Sequence, residues 1–306
     1  MSGVLVVTWD GGGNVPPALG IVSELVARGH AVTVLGHGRQ RTAIERAGAS
    51  ALAFDHSADW DPRIRRGTAR FAAAYLTLFT DRGIGVDTAA AIERVRPDAI
   101  LVDALLPAAT SAALASGRPT VVLVHTVLAA VQDMARGPIG TVSSLKGFSM
   151  ADGLAAAPLL LVTSPDALAV GPAPANAVHV GPVFGPGSVS PRQADATSTR
   201  VLVSLSTIHY AGMPRVLQGL VDAFRDLPLD AIVTTGPTID PASLQAPSNV
   251  EVHRTIPHAE ILPEVGLVIG HGGHGTATTA LAAGVPVLVR AMSGLGDHVQ
   301  VGAGLE

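Results

Sequence analysis

Apolar residues run along this chain in short unbroken blocks rather than in strict alternation. Residues 4–7 read Val-Leu-Val-Val. A run of that kind is what a strand covered on both faces needs. A glycine-rich turn follows, and then a helix-period stretch at 17–28 that stops at Gly29. Glycine just past the last periodic residue ends a helix because it enters left-handed geometry without a Cβ clash. A strand at 31–35 and a helix at 41–47, stopped by Gly48, repeat the theme. Residues 99–102 and 120–124 are further apolar runs, and they bracket a helical stretch at 107–116. Strand, helix and strand at this spacing demand parallel pairing, and several such units build a doubly wound sheet. Short strands at 159–163 and 177–180 close this half.

The pattern then breaks and restarts. Residues 186–199 are rich in Gly, Pro, Ser and Thr without periodicity, as a linker would be. Beyond them, strands are expected at 201–205, 231–234, 250–253, 267–269 and 285–289, with helices at 214–226 and 275–283. The fold class this predicts is α/β: two Rossmann-like doubly wound parallel-sheet domains, 1–185 and 200–306. The second is expected to be incomplete, because 301–306 read as a helix begun and cut short.

Composition narrows the picture. Of 306 residues, 48% are hydrophobic and 14% charged, which suits two buried cores and excludes a disordered chain. The net charge of −4, with no basic stripe, argues against nucleic acid as a partner. The absence of cysteine excludes disulfides, thiolate metal sites and cysteine nucleophiles. The N-terminus lacks a signal-peptide pattern, and no apolar run has transmembrane length, so a cytoplasmic protein is expected. Abundant Ala and Arg with very little Lys suit a GC-rich bacterial genome.

Three loops carry candidate chemistry. Gly270-His-Gly-Gly-His-Gly-Thr276 follows a strand and opens a helix. Glycines let the backbone approach a ligand, and free N–H groups at a helix start favour an anion. Thr276 adds a hydroxyl and His271 an imidazole, which together suit a diphosphate. Ser204-Leu-Ser-Thr207 ends the first strand of the second half, where open α/β sheets bind ligands. Read alone, it could equally be a capped turn. Trp9-Asp-Gly-Gly-Gly-Asn-Val-Pro-Pro17 follows the first strand. It fails as a dinucleotide fingerprint: counted from Gly11, the third glycine position is Pro16, and no acidic residue ends the second strand. His271 and His274 stand three apart, but the intervening glycines favour a loop over a metal site.

Taken in order, these loops resemble the actinobacterial macrolide-type glycosyltransferases and their plant UDP-glycosyltransferase relatives, which have the GT-B fold. Glu24-Leu-Val-Ala-Arg-Gly-His30, Arg96-Pro-Asp-Ala-Ile-Leu-Val-Asp103 and Val124-His-Thr126 support the resemblance. Its most specific part is Ile256-Pro-His-Ala-Glu-Ile-Leu-Pro263, followed by 271–276 and by Ala280-Leu-Ala-Ala-Gly-Val-Pro286. The resemblance implies two domains facing across a cleft and an inverting sugar transfer from a UDP- or TDP-sugar to a small-molecule hydroxyl. It implies no metal and no cofactor, the nucleotide sugar being a substrate; a homodimer is possible. His271, Gly272, Gly273, Gly275 and Thr276, with Ser206 and Thr207, would hold the diphosphate. Thr255, Ile256 and His258 would lie by the base and ribose, and Asp297 and His298 by the sugar.

The departures from the family are informative. The usual catalytic histidine is Asn14 here, and its orienting aspartate is Asp103. Asparagine cannot take a proton at neutral pH. Asp10 or Asp103 could act as base, His125 could reach the acceptor instead, or the acceptor could need little help. Thr255 replaces a stacking tryptophan, Thr279 a ribose-binding glutamate, and Asp297-His298 an Asp-Gln pair. The acceptor pocket would be lined by 61–80 and 128–150, and Trp60, Phe71, Tyr75 and Phe79 would offer either core or an apolar wall. An apolar acceptor such as a polyketide, terpenoid or lipid would suit such a wall. Two other functions stay open: a catalytically impaired nucleotide-sugar-binding relative or auxiliary partner, and a GT-B sugar-nucleotide epimerase.

Overall fold

The computed structural model describes residues 1–185, 198–294 and 296–306. Most of the stretch expected as a linker, 186–197, lies outside the described residues. The chain forms two compact units: Met1–Asp61 with Phe71–Pro186, and Pro62–Arg70 with Gly187–Glu306.

The first unit holds a seven-stranded, wholly parallel sheet. Its strands are β1 (Gly3–Val7), β2 (Ala31–Gly36), β3 (Ser50–Ala53), β4 (Ala99–Asp103), β5 (Thr120–Val124), β6 (Leu159–Val162) and β7 (Ala177–His179). The order is β3-β2-β1-β4-β5-β6-β7, so the winding reverses between β1 and β4. Strand β3, Ser-Ala-Leu-Ala, escapes sequence reading because it has no β-branched residue; pairing with β2 holds it. The helix Val15–Ala27 opens with prolines in its first turn, where a missing N–H costs nothing. It buries Leu19 and Val22 against Val4, Val6, Val34 and Leu101 of the sheet. Gly29 ends it at φ +83°.

The second unit holds a five-stranded parallel sheet of β8 (Arg200–Ser204), β9 (Asp230–Thr234), β10 (Val250–His253), β11 (Leu267–Gly270) and β12 (Val287–Val289). The order is β10-β9-β8-β11-β12, with the reversal between β8 and β11. Leu202, Ile232, Leu262, Val265, Val268 and Val285 form one core cluster of this unit. In open parallel sheets, a ligand crevice forms where the winding reverses, beyond the carboxyl ends of the strands. All three loops singled out in the sequence leave β1, β8 or β11, the strands flanking the two reversal points.

Candidate active site

In the first unit the reversal point brings together Asn14, Asp103 and His125. Asp103 ends β4, and His125 directly follows β5, whose Leu123 is in register with Asp103. Two neighbouring parallel strands ending at one level therefore put both side chains beside the turn after β1. His125 Nδ1 stands 3.0 Å from Asp103 Oδ2, and the two side chains are 11% and 0% exposed. That separation is the distance of a paired imidazole and carboxylate, although the ring is turned off the line of an ideal hydrogen bond. Asp103 Oδ1 accepts the Leu105 N–H at 2.9 Å, and Oδ2 also receives Asn14 Nδ2 at 3.1 Å.

Asn14 is 1% exposed and spans the turn. Its Oδ1 accepts the Gly11 N–H at 3.0 Å, and its Nδ2 also donates to the Trp9 carbonyl at 2.8 Å. An amide can accept and donate at once, which this turn requires of it. Asp10 is tied in through its main chain: its N–H donates to His37 Nδ1 at 3.2 Å, and its carbonyl receives Trp60 Nε1 at 2.6 Å. Burial lowers the His37 pKa to about 4, so the ring stays neutral and able to accept.

Trp60 and the aromatic residues of 61–80 are core rather than an exposed wall. Trp60, Phe71, Tyr75 and Phe79 are all buried, with Trp9 among them. Trp9 meets Phe79 edge-on at 4.9 Å and Tyr75 at 6.2 Å. Trp9 also stands 6.5 Å from the His125 ring, so the cluster backs this corner. Helical spacing already pointed to this core role.

In the second unit the glycine turn leaves β11 and starts the helix His274–Ala282. Gly272 has φ +87°, and a Cβ there would stand 2.6 Å from the His298 carbonyl oxygen and 2.9 Å from a Val289 methyl. Gly273 caps the helix without a side chain, and a Cβ on it would meet His271 Nε2 at 2.4 Å. The first N–H groups of the helix thus have no side-chain cap. Thr278 and Thr279 return their hydroxyls to helix carbonyls, at 2.8 and 2.7 Å. Among the described residues the Thr276 hydroxyl makes no such bond.

The His271 and His298 rings meet edge-on at 4.7 Å, with Tyr210 5.1 Å from His298. Both histidines are buried, and the Nδ1 atom of each has no hydrogen-bond partner. Burial, helped by His298, lowers the His271 pKa to about 4 against the opposing pull of Asp297 and the Leu205 carbonyl. Burial lowers His298 too, with Asp297 opposing. Buried polar atoms without partners are rare, because each costs its full desolvation. Two such atoms stand here beside the uncapped N–H groups of a helix start, where an anion is favoured. His298, read in the sequence as a sugar contact, is packed against the glycine turn, next to Asp297. Tyr210 was not found by sequence reading, since nothing local ties it to residues 271 and 298.

The remaining expected contacts divide. Ser206 Oγ accepts the Ile208 N–H at 3.0 Å, so its hydroxyl caps its own turn, while Thr207 is exposed. His258 Nε2 is 3.2 Å from Ser204 Oγ, which also receives Thr234 Oγ1 at 2.9 Å. Burial lowers the His258 pKa, suiting a neutral ring in that chain. Ile256 packs on the core, and Thr255 is exposed. Among the described residues no group of acidic and histidine side chains is arranged to hold a metal, and no helix is long and apolar enough to cross a membrane.

No family model matches the chain. The NDP-glycosyltransferase YjiC of Bacillus subtilis is 26% identical over 301 residues, which cover 90% of this chain and 76% of that protein. The demethyllactenocin mycarosyltransferase of Streptomyces fradiae is 39% identical over 89 residues, 29% of this chain and 19% of that protein. Among solved structures, the glycosyltransferase VinC in complex with dTDP superposes with a TM-score of 0.71 at 23% identity, over 99% of this chain and 84% of that one. The chain is similar in sequence to glycosyltransferases and has the GT-B fold. The two parallel sheets with their reversal points are those of the GT-B fold, and the proteins that share it along this chain are glycosyltransferases.

Proposed function

We propose that this GT-B chain is an inverting glycosyltransferase. It would move a sugar from a UDP- or TDP-sugar to a hydroxyl of an apolar small molecule. The observation that carries this reading is the glycine turn 271–276 with its uncapped helix start, beside the unpartnered Nδ1 atoms of His271 and His298. The second unit supplies the donor site. The N–H groups of Gly272 to Thr276, the Thr276 hydroxyl and His271 take the charge of the leaving diphosphate as the bond between the anomeric carbon and the phosphate oxygen breaks. The first unit supplies the base. With His125 Nδ1 3.0 Å from Asp103 Oδ2, Nε2 is the nitrogen that accepts the acceptor's hydroxyl proton as that oxygen bonds to the anomeric carbon from the opposite face. Asp103 orients the ring and balances the imidazolium, as the carboxylate does in hydrolase triads. Asn14 holds the turn and takes no proton.

The test is turnover of TDP- and UDP-sugars with a panel of phenolic and macrolide acceptors. His125→Ala is expected to lower kcat by about 10²–10⁴, the usual range for a positioned base, while TDP affinity stays as in the wild type. Turnover unchanged in both His125→Ala and Asp103→Asn removes this base assignment. TDP binding without turnover on any acceptor would favour the impaired-relative reading, which the Asn14 substitution motivates.

A further inference from the structure

The segment Pro62–Arg70 lies in the first half of the sequence yet belongs to the second unit. It reads Pro-Arg-Ile-Arg-Arg-Gly-Thr-Ala-Arg. Arg65 anchors it there, donating from Nη2 to the Thr238 carbonyl. Thr238 belongs to the turn after β9, and that turn runs against the loop after β8: a Cβ on Gly236 would stand 3.0 Å from the Ser206 carbonyl oxygen. His209, in the same loop as Ser206 and Thr207, feels the Arg65 charge, which adds to burial in lowering its pKa. That loop in turn holds the glycine turn. The Leu205 carbonyl lies close enough to His271 to oppose the lowering of its pKa, and Tyr210 packs on His298. Strand β8 lies between β9 and β11, so Arg65 and His271 flank one loop from its two sides.

Arg65, like Arg215 and Arg290, differs from Arg200 and Arg254 of this unit in its charge balance. Arg200 pairs with Glu251 and Glu264, and Arg254 with Asp240. Among the described residues no carboxylate pairs with Arg65. A guanidinium carries five N–H donors in a rigid fork, and the one bond to Thr238 leaves most of them open on an exposed side chain. An unbalanced cation, a hydroxyl loop and two unpartnered buried imidazoles therefore share the carboxyl ends of three neighbouring strands.

We propose that Arg65 binds the terminal phosphate of a nucleoside diphosphate held at the glycine turn, so that a strap from the first half of the chain completes the donor site. This rests on the donor reading above. Arginine suits the task because its fork matches phosphate geometry and stays charged at any working pH. The exposed position makes the contact salt-dependent.

The experiment compares wild type, Arg65→Ala and Arg65→Lys by calorimetry with TDP and with TMP, after melting curves establish folding. The ratio of TMP to TDP dissociation constants is expected to fall about tenfold or more in Arg65→Ala, as befits one charged hydrogen-bonding partner, with Arg65→Lys between. Should Arg65→Ala not fold, Arg65→Gln keeps a donor for Thr238, loses the charge and carries the same comparison. An unchanged ratio overturns the proposal, whether both affinities stay intact or both drop in parallel; the parallel drop would make Arg65 a prop for the loop. Wild type that binds neither nucleotide overturns the donor reading itself and this inference with it.

Discussion

Asn14→Ala separates the two roles assigned to the turn after β1. The side chain is 1% exposed, and its Oδ1 is the acceptor for the Gly11 N–H. Truncation leaves that buried N–H without the partner it has now. The Trp9 carbonyl keeps Gln40 Nε2 at 3.1 Å, and Asp103 keeps the Leu105 N–H and His125. One orphaned buried donor costs about 1–3 kcal/mol, and the lost packing and the bond to Thr8 Oγ1 bring the expected total to roughly 2–4 kcal/mol. In a unit of this size each kcal/mol moves the midpoint by about 2–4 °C, so the first unit should melt roughly 5–15 °C lower. The assay is a thermal melt followed by Trp fluorescence, since Trp9 and Trp60 both lie beside this turn. A midpoint within about 1 °C of wild type would refute the argument that Asn14 is a structural clamp.

Other consequences follow from the second unit. Gly272→Ala puts a Cβ 2.6 Å from the His298 carbonyl oxygen at φ +87°, so TDP binding should be lost and the second unit destabilised; a variant that binds TDP normally would contradict the close packing of the turn. The His271 pKa is lowered in the fold to about 4, from an ordinary value of 6.5. Between those values the unfolded chain binds the proton and the folded chain does not, so stability rises with pH across about 4 to 6.5 and is fully present above that window. A bound dianion favours the imidazolium, so saturating TDP should flatten the acid-side loss of stability. Melts from pH 7 to 5, with and without TDP, check this, and His271→Asn should remove the difference.

The strands could be read from sequence because buried parallel strands write themselves as unbroken apolar runs rich in valine, as Val4–Val7 and Val201–Val203 do. The glycine turn was legible for a related reason: close backbone approach and φ +87° at Gly272 exclude side chains, so the need for glycine is printed in the sequence. The pairing of His125 with Asp103 was not. Their spacing means nothing until β4 and β5 are known to be neighbours in register, although the common ending of the two strands was a signal that could have suggested it. The function of Asn14 was hidden likewise, since its bond to Asp103 depends on a long-range contact. The strap at 62–70 carries no periodicity, and only its arginines set it apart from an ordinary loop.

The central claim is that the backbone of the turn 271–276 holds a pyrophosphate. Amide NMR of the wild type during a TDP titration tests it most directly. The account predicts saturable shifts of the Gly272, Gly273, Gly275 and Thr276 amides, larger with TDP than with thymidine. Saturable TDP binding that leaves those amides still, or shifts that thymidine reproduces in full, would contradict it.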